Sequence, residues 1–586
     1  MHDSEYRPFI GSDRCADIEQ YGHRGHKQDE EESSTKLLQC NRTNSPSSFE
    51  GKNVRARIGH VLSLPDSRSR TFTVVSIAAT TMLVMVLAAA SMPADAVIGP
   101  HAAQAPEGAA SAESQCAALA ANGGDNFESL QGATTFITSA KLTTSGTGSE
   151  AVTQCTVDGY VTPSDTFIVQ LPVSGWNHML EANGSHGLGG AYYLNECAPF
   201  LGKGYATVAN SLGHVDPGLN GGFAYNNPQA DIDFAYRATH VTTVAAKAIV
   251  HAFYGTEPRE SYFSGCSEGG RQGLVEAARY PTDFNGIISG PAFPDWSSVI
   301  GYDGIYTDVV NRDANGHAIL TNAKLPILHE AALQTCGAVN GTITDPETCH
   351  FDPAITQCPP ANPNGADCLS AAQVRVARLF YGPVRNSRGQ AITSYASNEP
   401  GSELKWTSRI NEAGAPSLEG GIGLQFDRYL GFPHDPGPAF QETSFNFDTD
   451  PARLTALASQ YDANPDLQAF RNAGGKLIMW SGWADEAMPP DATVQFYKAI
   501  EAKAGGAAAT QSFARLFMVP GEYHCVGGSG PQLASDSFAD LLNTWVTTGQ
   551  APQTAVAVQT KTDGQVAATR KIHPYPLLPE PQENQG

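Results

Sequence analysis

The sequence is poor in positive charge. Its 586 residues contain 36 Lys and Arg against 59 Asp and Glu, which gives a net charge of −23 at pH 7. No stretch interleaves basic with aromatic side chains, as a groove for nucleic acid requires. Because an acidic surface also repels phosphate backbones, we expect no nucleic-acid partner.

Long uncharged apolar runs are scarce as well, with one exception near the N terminus. No charged residue occurs from 71 to 94, and Arg68 and Arg70 precede this run of Val, Leu, Met and Ala. The small-x-small sequence at 94–96 is typical of a signal peptidase site. We therefore predict a signal peptide over 71–96 and a secreted protein, extracellular or periplasmic. The alternative is a signal anchor over 71–94, since this run is long enough to span a bilayer.

The region before the signal has no recognisable fold pattern. Residues 1–70 are polar, balance acidic with basic side chains and lack hydrophobic periodicity. Such a composition predicts a disordered extension, or a start site placed too early, and we assign it no function. The chain as a whole is 41% apolar and 9% aromatic, as in globular proteins. The sequence leaves the oligomeric state open.

Eleven cysteines divide unevenly along the chain, with two in the N-terminal extension and nine after the predicted signal. Export to an oxidising compartment favours pairing, although the odd number leaves one thiol over. We predict the pairs Cys336–Cys349, Cys358–Cys368 and Cys116–Cys155, which leaves Cys266 and Cys525 for each other and Cys197 unpaired. Other connectivities remain open.

Strand and helix patterns alternate along most of the chain, which predicts an α/β fold with a parallel sheet. Segment 294–472 is instead rich in Gly, Pro, Asn and Asp and contains four cysteines. We interpret it as a lid domain inserted into a catalytic domain that comprises 97–293 and 473–586. The predicted strands are 166–171, 204–209, 261–264, 286–290, 475–480 and 515–519, and the predicted helices are 233–253, 271–280 and 491–504.

Three polar residues follow predicted strands in an order that suggests an esterase. Ser267 lies in the sequence GCSEG between a strand and a helix, where a tight turn would expose its hydroxyl. Serine needs an imidazole to accept its proton, and the imidazole needs a carboxylate to hold its tautomer. His524 and Asp485 each follow a predicted strand at the edge where such sites form. The chain order Ser, Asp, His is that of α/β-hydrolases.

Two cysteines adjoin this predicted triad. Cys266 directly precedes Ser267, and Cys525 directly follows His524. A disulfide requires Cα atoms within about 7 Å, so such a bond would bring the serine and the histidine close together. The alternative is that both are separate buried thiols.

With these motifs the sequence resembles the tannase and feruloyl esterase family, over roughly 110–560. Members carry a cysteine before the serine and another after the histidine. The resemblance implies an α/β-hydrolase with a lid, the triad Ser267, Asp485 and His524, and hydrolysis of esters of aromatic acids. It also implies an oxyanion hole of two backbone N–H groups, from Glu268 and from the loop 183–190, where we favour Gly184. The strings that carry the resemblance lie at 265–273, 280–286, 474–477, 482–485, 519–521 and 524–525.

The family also implies calcium in the lid of many members, bound by an aspartate-rich loop between paired cysteines. Between Cys336 and Cys349 this chain has only Asp345 and Glu347 as carboxylates. A hard cation prefers six to eight oxygen ligands. We therefore expect the calcium site to be lost or weakened, and we predict no metal and no organic cofactor.

The substrate remains open within the aromatic esters. Feruloyl, galloyl, chlorogenate-type and terephthalate-monoester substrates fit the same triad, and a substrate carboxylate would call for a lid arginine such as Arg409 or Arg428. Other possibilities are acyl transfer to an alcohol, and a catalytically idle protein that binds aromatic glycosides. Lid aromatic residues that could stack on an acyl ring, or else form ordinary lid core, are Trp406, Phe426, Tyr429 and Phe432.

Overall fold

The computed structural model of the chain describes residues 111–585, except 125, 149–150, 217 and 415. The predicted N-terminal extension, the signal segment and the cysteines Cys15 and Cys40 therefore lie outside the described residues. Within the described part of the chain, no helix is both long enough and apolar enough to cross a membrane.

A nine-stranded sheet forms the centre of the protein, in the order β1-β2-β3-β5-β4-β6-β7-β8-β9. The pairs from β1 to β5 are antiparallel, and every pair from β5 to β9 is parallel. A separate three-stranded sheet follows near the C terminus. The strands are β1 Thr135–Ser145, β2 Val152–Val161, β3 Asp165–Pro172, β4 Met179–Asn183, β5 Ala206–Asn210, β6 Glu260–Ser267, β7 Gly286–Ala292, β8 Lys476–Gly482, β9 Ala514–Val519, β10 Ala555–Thr560, β11 Val566–Ile572 and β12 Glu583–Asn584.

Helices cover both faces of the parallel half of the sheet and fill the long connection between β7 and β8. They are α1 Ala112–Leu119, α2 Leu194–Gly202, α3 Pro228–Ile232, α4 Ala238–Tyr254, α5 Glu268–Arg279, α6 Trp296–Ser298, α7 Gly304–Val310, α8 Leu325–Thr335, α9 Ala371–Phe380, α10 Leu418–Tyr429, α11 Asp450–Leu454, α12 Ala458–Tyr461, α13 Gln468–Asn472, α14 Pro490–Ala504, α15 Ala507–Thr510 and α16 Ala539–Thr548.

Two apolar layers hold the helices to the sheet. On one face, Phe263 of β6 packs in a cluster with Val241 of α4 and Leu274 of α5. On the other face, Trp480 of β8 packs with Phe200 of α2 and with residues of α16. Parallel strands that are covered on both faces must be apolar on both, which explains the continuous hydrophobic runs of β7, β8 and β9.

The six predicted strands all occur in the sheet, as β3, β5, β6, β7, β8 and β9. Sequence analysis missed β1, β2, the three strands of the smaller sheet and β4, which lies between β5 and β6. All five residues of β4 are buried, yet they include Glu181 and Asn183. Buried polar residues hide a strand from a search for hydrophobic runs.

The connection between β7 and β8 is an insertion, residues 293–475, that contains α6 to α13 and, among its described residues, no strand of either sheet. It shares a core with the sheet region, where Phe426 and Leu430 of the insertion cluster with Phe234 and Met488. This shared core fixes the insertion against the edge of the sheet at which β6 and β8 end.

Four disulfides join the pairs that the sequence suggested. Cys197 is the only free cysteine of the described residues, and it is fully buried on α2. Two bonds lie inside the insertion, and one attaches α1 to β2. The fourth, between Cys266 and Cys525, connects the end of β6 to the loop after β9.

Candidate active site

Ser267 lies at the sharp turn where β6 passes into α5. Its backbone has φ 63° and ψ −125°, a region that L-residues rarely adopt. The side chain is partly exposed, and its hydroxyl makes no hydrogen bond with any described residue. Strained backbone at a strand-to-helix turn is the geometry that presents a nucleophile to a substrate.

The loop after β4 lies against the start of α5. A Cβ atom on Gly184 would be 2.4 Å from the Cα atom of Gly269, so only glycine fits at this crossing. The N–H group of Gly184 donates to Ser264 O at 2.9 Å, as a continuation of the β4–β6 ladder. Gly184 therefore does not fit the prediction of a second oxyanion donor. The next residue, Ser185, is buried, and its N–H has no acceptor among the described residues.

Glu268 begins α5, so its N–H is one of the unpaired donors of a helix N terminus. Its carboxylate is fully buried and accepts two hydrogen bonds from Arg271, 2.8 Å from Nε and 2.5 Å from Nη2. Burial raises the pKa of Glu268, and Arg271 opposes part of that rise. Arg271 also donates to the carbonyl oxygens of Phe234 and Tyr461. Sequence analysis missed Arg271, which fixes the first turn of α5.

Asp485 lies in a loop after β8 and is fully buried. Its Oδ1 atom accepts hydrogen bonds from the N–H groups of Ala487 at 2.9 Å and Met488 at 2.8 Å. Its Oδ2 atom is 2.9 Å from His524 Nδ1. We call residues 485–488 the acid loop. These contacts fix the carboxylate so that it faces only one nitrogen of the imidazole.

His524 lies in the loop after β9, with its side chain 18% exposed. Burial alone would lower the pKa of His524, but the carboxylate of Asp485, assisted by Glu486 and Glu419, raises it to about 9. Glu486 Oε2 accepts a hydrogen bond from the backbone N–H of His524 at 3.3 Å. Burial and the neighbouring Asp485 raise the pKa of Glu486 to about 7, and His524 opposes this rise. The imidazole therefore lies among three acidic side chains.

The bond between Cys266 and Cys525 connects the predicted nucleophile to the predicted base. Their Cα atoms are 6.0 Å apart, although the two residues are 259 positions apart in the sequence. Cys525 has a positive φ of 61°, close to the 63° of Ser267. The bond thus joins two strained turns and holds the residues that carry the hydroxyl and the imidazole next to each other.

A cavity of about 290 Å³ lies against this disulfide, on the side where α2 packs. Cys266 and Cys525 line it, whereas Ser267, Asp485, His524 and the insertion do not. The disulfide therefore borders a cavity that the three predicted triad side chains do not line.

An aromatic side chain that sequence analysis missed lies beside the imidazole. The ring of Phe293, just after β7, is centred 5.6 Å from that of His524. Phe293 contacts Trp296 at 5.5 Å, and Trp296 contacts Phe426 at 6.3 Å. Of the four aromatic candidates, Phe426 therefore belongs to a row of rings that begins at the imidazole.

The other aromatic candidates lie elsewhere. Trp406 is fully buried and packs on Phe380 and Tyr381 inside the insertion. Phe432 is buried against Phe440. Tyr429 contacts Tyr225, which is exposed. These three side chains form core or surface contacts and have no ring contact with His524.

The two arginine candidates differ, since Arg409 is engaged through all three of its nitrogens and Arg428 through one. Arg409 is 1% exposed and donates to Asp303 Oδ2 at 2.7 Å, to Ala487 O at 3.2 Å and to Glu486 O. Arg428 Nε donates to Phe440 O at 2.8 Å. The prediction that Arg409 could bind a substrate carboxylate is therefore wrong, because all three of its nitrogens already have acceptors.

The two carboxylates between Cys336 and Cys349 do not fit a calcium ion. Asp345 accepts a hydrogen bond from Thr348, and Glu347 accepts one from Tyr575 and lies 3.9 Å from Lys498 Nζ. Two carboxylates with separate partners provide too few oxygen ligands.

In the described ranges, the one group of three or more His, Cys, Asp or Glu side chains close enough to share an ion is His240, Glu276 and Asp283. There the imidazole already bonds the aspartate at 2.6 Å.

Comparison with known proteins identifies the family of this chain. The family model described as tannase and feruloyl esterase matches residues 149–585. The chain belongs to the tannase and feruloyl esterase family. Members of the family are carboxylic ester hydrolases, and this tannase-family protein is one as well, which confirms the enzyme class that the sequence predicted.

Relatives in the family cover most of the chain. The protein is 33% identical to an uncharacterised esterase of Xanthomonas campestris, over 72% of this chain and 81% of the relative. It is 31% identical to the mono(2-hydroxyethyl) terephthalate hydrolase of Piscinibacter sakaiensis, over 72% of this chain and 79% of that one. It is 29% identical to a probable feruloyl esterase B-2 of Aspergillus flavus, over 68% of this chain and 79% of the relative.

Solved structures show the same fold. Feruloyl esterase B from Aspergillus oryzae superposes with a TM-score of 0.69 at 23% identity, over 80% of this chain and 96% of that chain. Tannin acyl hydrolase from Aspergillus niger superposes with a TM-score of 0.64 at 21% identity, over 78% of this chain and 92% of that chain. These likenesses confirm the predicted α/β-hydrolase fold.

Proposed function

We propose that the protein is an exported serine esterase that hydrolyses esters of aromatic acids through an acyl-enzyme intermediate. The observation that carries this proposal is the disulfide between Cys266 and Cys525, which holds Ser267 next to His524 while Asp485 fixes Nδ1 of the imidazole. The bond joins residues 259 positions apart and so keeps the predicted nucleophile close to its predicted base.

In this mechanism, Ser267 Oγ attacks the ester carbonyl while His524 Nε2 accepts its proton. The tetrahedral oxyanion would be stabilised by the N–H groups of Glu268 and Ser185, the second in place of Gly184. His524 then protonates the leaving alcohol. Water repeats these steps on the acyl-enzyme and releases the acid and the free serine.

The aromatic acyl group is supported by two features. The ring of Phe293 lies beside His524, and Trp296 and Phe426 support it from the buried core. Relatives that are named feruloyl esterase and terephthalate monoester hydrolase both act on esters of aromatic acids. Among such substrates we favour feruloyl-type and other uncharged acyl groups. Arg409 is engaged through all three of its nitrogens and does not support binding of a terephthalate carboxylate, whereas Arg428 donates through Nε alone.

Export is supported by the apolar run at 71–94 with its cleavage pattern and by four disulfides. N-terminal sequencing of protein recovered from outside the cytoplasm tests this part of the proposal. A mature N terminus at Val97 supports cleavage, and retention of 71–94 in membranes would support the anchor instead.

The reaction is tested with methyl ferulate, methyl gallate, chlorogenate and monomethyl terephthalate. Ser267→Ala should abolish turnover and covalent labelling by a serine-directed phosphonate, whereas Ser512→Ala, at an exposed serine, should leave both unchanged. A protein that only binds aromatic glycosides would be neither labelled nor active. Added methanol distinguishes the remaining alternative, because acyl transfer would yield methyl ester from another ester.

A further inference from the structure

Beyond the apolar core around Met488, the insertion contacts the backbone of the acid loop through the buried side chain of Arg409. Arg409 follows a short 3-10 helix, Glu403–Ser408, inside the insertion, and its side chain is 1% exposed. Its three nitrogens have three acceptors, of which two are the backbone oxygens of Glu486 and Ala487 in the acid loop. Few side chains other than arginine could satisfy all of these acceptors at once, because the guanidinium presents its donors in a planar fork.

The third acceptor of the Arg409 guanidinium is Asp303, which also belongs to the insertion. Asp303 is fully buried, and its Oδ2 atom lies 2.7 Å from Arg409 Nη1. Its other oxygen accepts a hydrogen bond from Ser397. Both partners of this ion pair therefore belong to the insertion, and their orientation is set there.

The acid loop depends on these contacts because little else fixes its carbonyl oxygens. Asp485 Oδ1 draws the N–H groups of Ala487 and Met488 inward, which turns the neighbouring carbonyl groups outward. Arg409 receives two of them. A loop held from inside by a carboxylate and from outside by a guanidinium keeps Asp485 at its 2.9 Å distance from His524.

We propose that Arg409 is a positioning residue for catalysis, by which the insertion holds the acid loop and thereby aligns Asp485 with His524. This inference rests on the proposed function for its kinetic consequence only. It assigns Arg409 no contact with the substrate, so the effect of its loss should appear in kcat and hardly in KM.

The experiment compares Arg409→Lys with Arg237→Lys. Arg237 forms a similar pair, since its Nη1 atom lies 2.7 Å from Asp233, which is buried, but it contacts neither the acid loop nor His524. A lysine can keep each ion pair, yet its single nitrogen cannot occupy the positions of the three guanidinium nitrogens of Arg409. Because Arg409 is buried and Arg237 is partly exposed, Arg409→Lys should melt at the lower temperature, so kcat is compared where both variants are folded. We expect kcat to fall on the order of 100-fold in Arg409→Lys alone.

A second readout does not need turnover. Backbone hydrogen exchange at the N–H groups of Ala487 and Met488 should accelerate at least tenfold in Arg409→Lys and stay unchanged in Arg237→Lys. Equal kcat values and equal exchange in the two variants would overturn the inference. If the wild-type protein cleaves no ester while exchange accelerates as expected, the proposed function fails and the positioning role stands.

Discussion

Removing the disulfide between Cys266 and Cys525 should cost both stability and activity. In the chain-entropy model, a bond across 259 positions raises the free energy of the unfolded chain by roughly 5–6 kcal/mol at 25 °C. The matched bond between Cys358 and Cys368 spans 10 positions and raises it by roughly 3 kcal/mol. The double alanine variant at 266 and 525 should therefore lose about 2–3 kcal/mol more free energy of unfolding than the one at 358 and 368.

Activity separates the two bonds more sharply. Only the first adjoins Ser267 and His524, and a displacement of about 1 Å between reacting groups can cost on the order of 100-fold in rate. Urea unfolding followed by tryptophan fluorescence, and kcat for methyl ferulate measured where both variants are folded, check the two parts. Equal losses of free energy and equal kcat values in the two variants would refute the reasoning. A dithiol added to the wild-type protein should reproduce the loss of activity, since the bond borders a cavity.

Three further predictions concern charge. The pKa of His524 is raised from 6.5 to about 9, so at neutral pH the imidazole is protonated and cannot accept a proton. We therefore expect kcat/KM to rise with pH through an apparent pKa above 6.5. An acid limb below pH 6 would contradict this. In Glu486→Gln the limb should move to lower pH, because one carboxylate that stabilises the imidazolium is gone; an unmoved limb would exclude that role. Dimethyl terephthalate should be cleaved at least tenfold more efficiently than monomethyl terephthalate, because the guanidinium of Arg409 is fully engaged within the protein; the reverse preference would indicate a cation at the site, with Arg428 as the first candidate.

The sheet that carries the site could be predicted where its strands are apolar. Ser267, Asp485 and His524 each follow such a strand, so chain order alone indicated how they meet. The error at Gly184 has the same origin as the missed strand β4. That strand runs to Asn183, so the next N–H, that of Gly184, extends the ladder to Ser264 and cannot face a substrate.

Contacts within the insertion could not be predicted, because they depend on residues far apart in the sequence. Arg409 bonds Asp303, 106 positions before it, and Ala487, 78 positions after it. No local pattern indicates that a charged side chain will be buried by partners at such distances. Its burial at 1% exposure is a property of the folded core alone.

The shared guanidinium has a consequence for engineering. Lids are natural units to exchange between related esterases when a new substrate range is wanted. In this protein, a grafted lid that lacks the counterparts of Asp303 and Arg409 would leave the acid loop without its outer contacts. Chimeras should therefore transplant that pair together with the acid loop, and should be screened for turnover as well as for specificity.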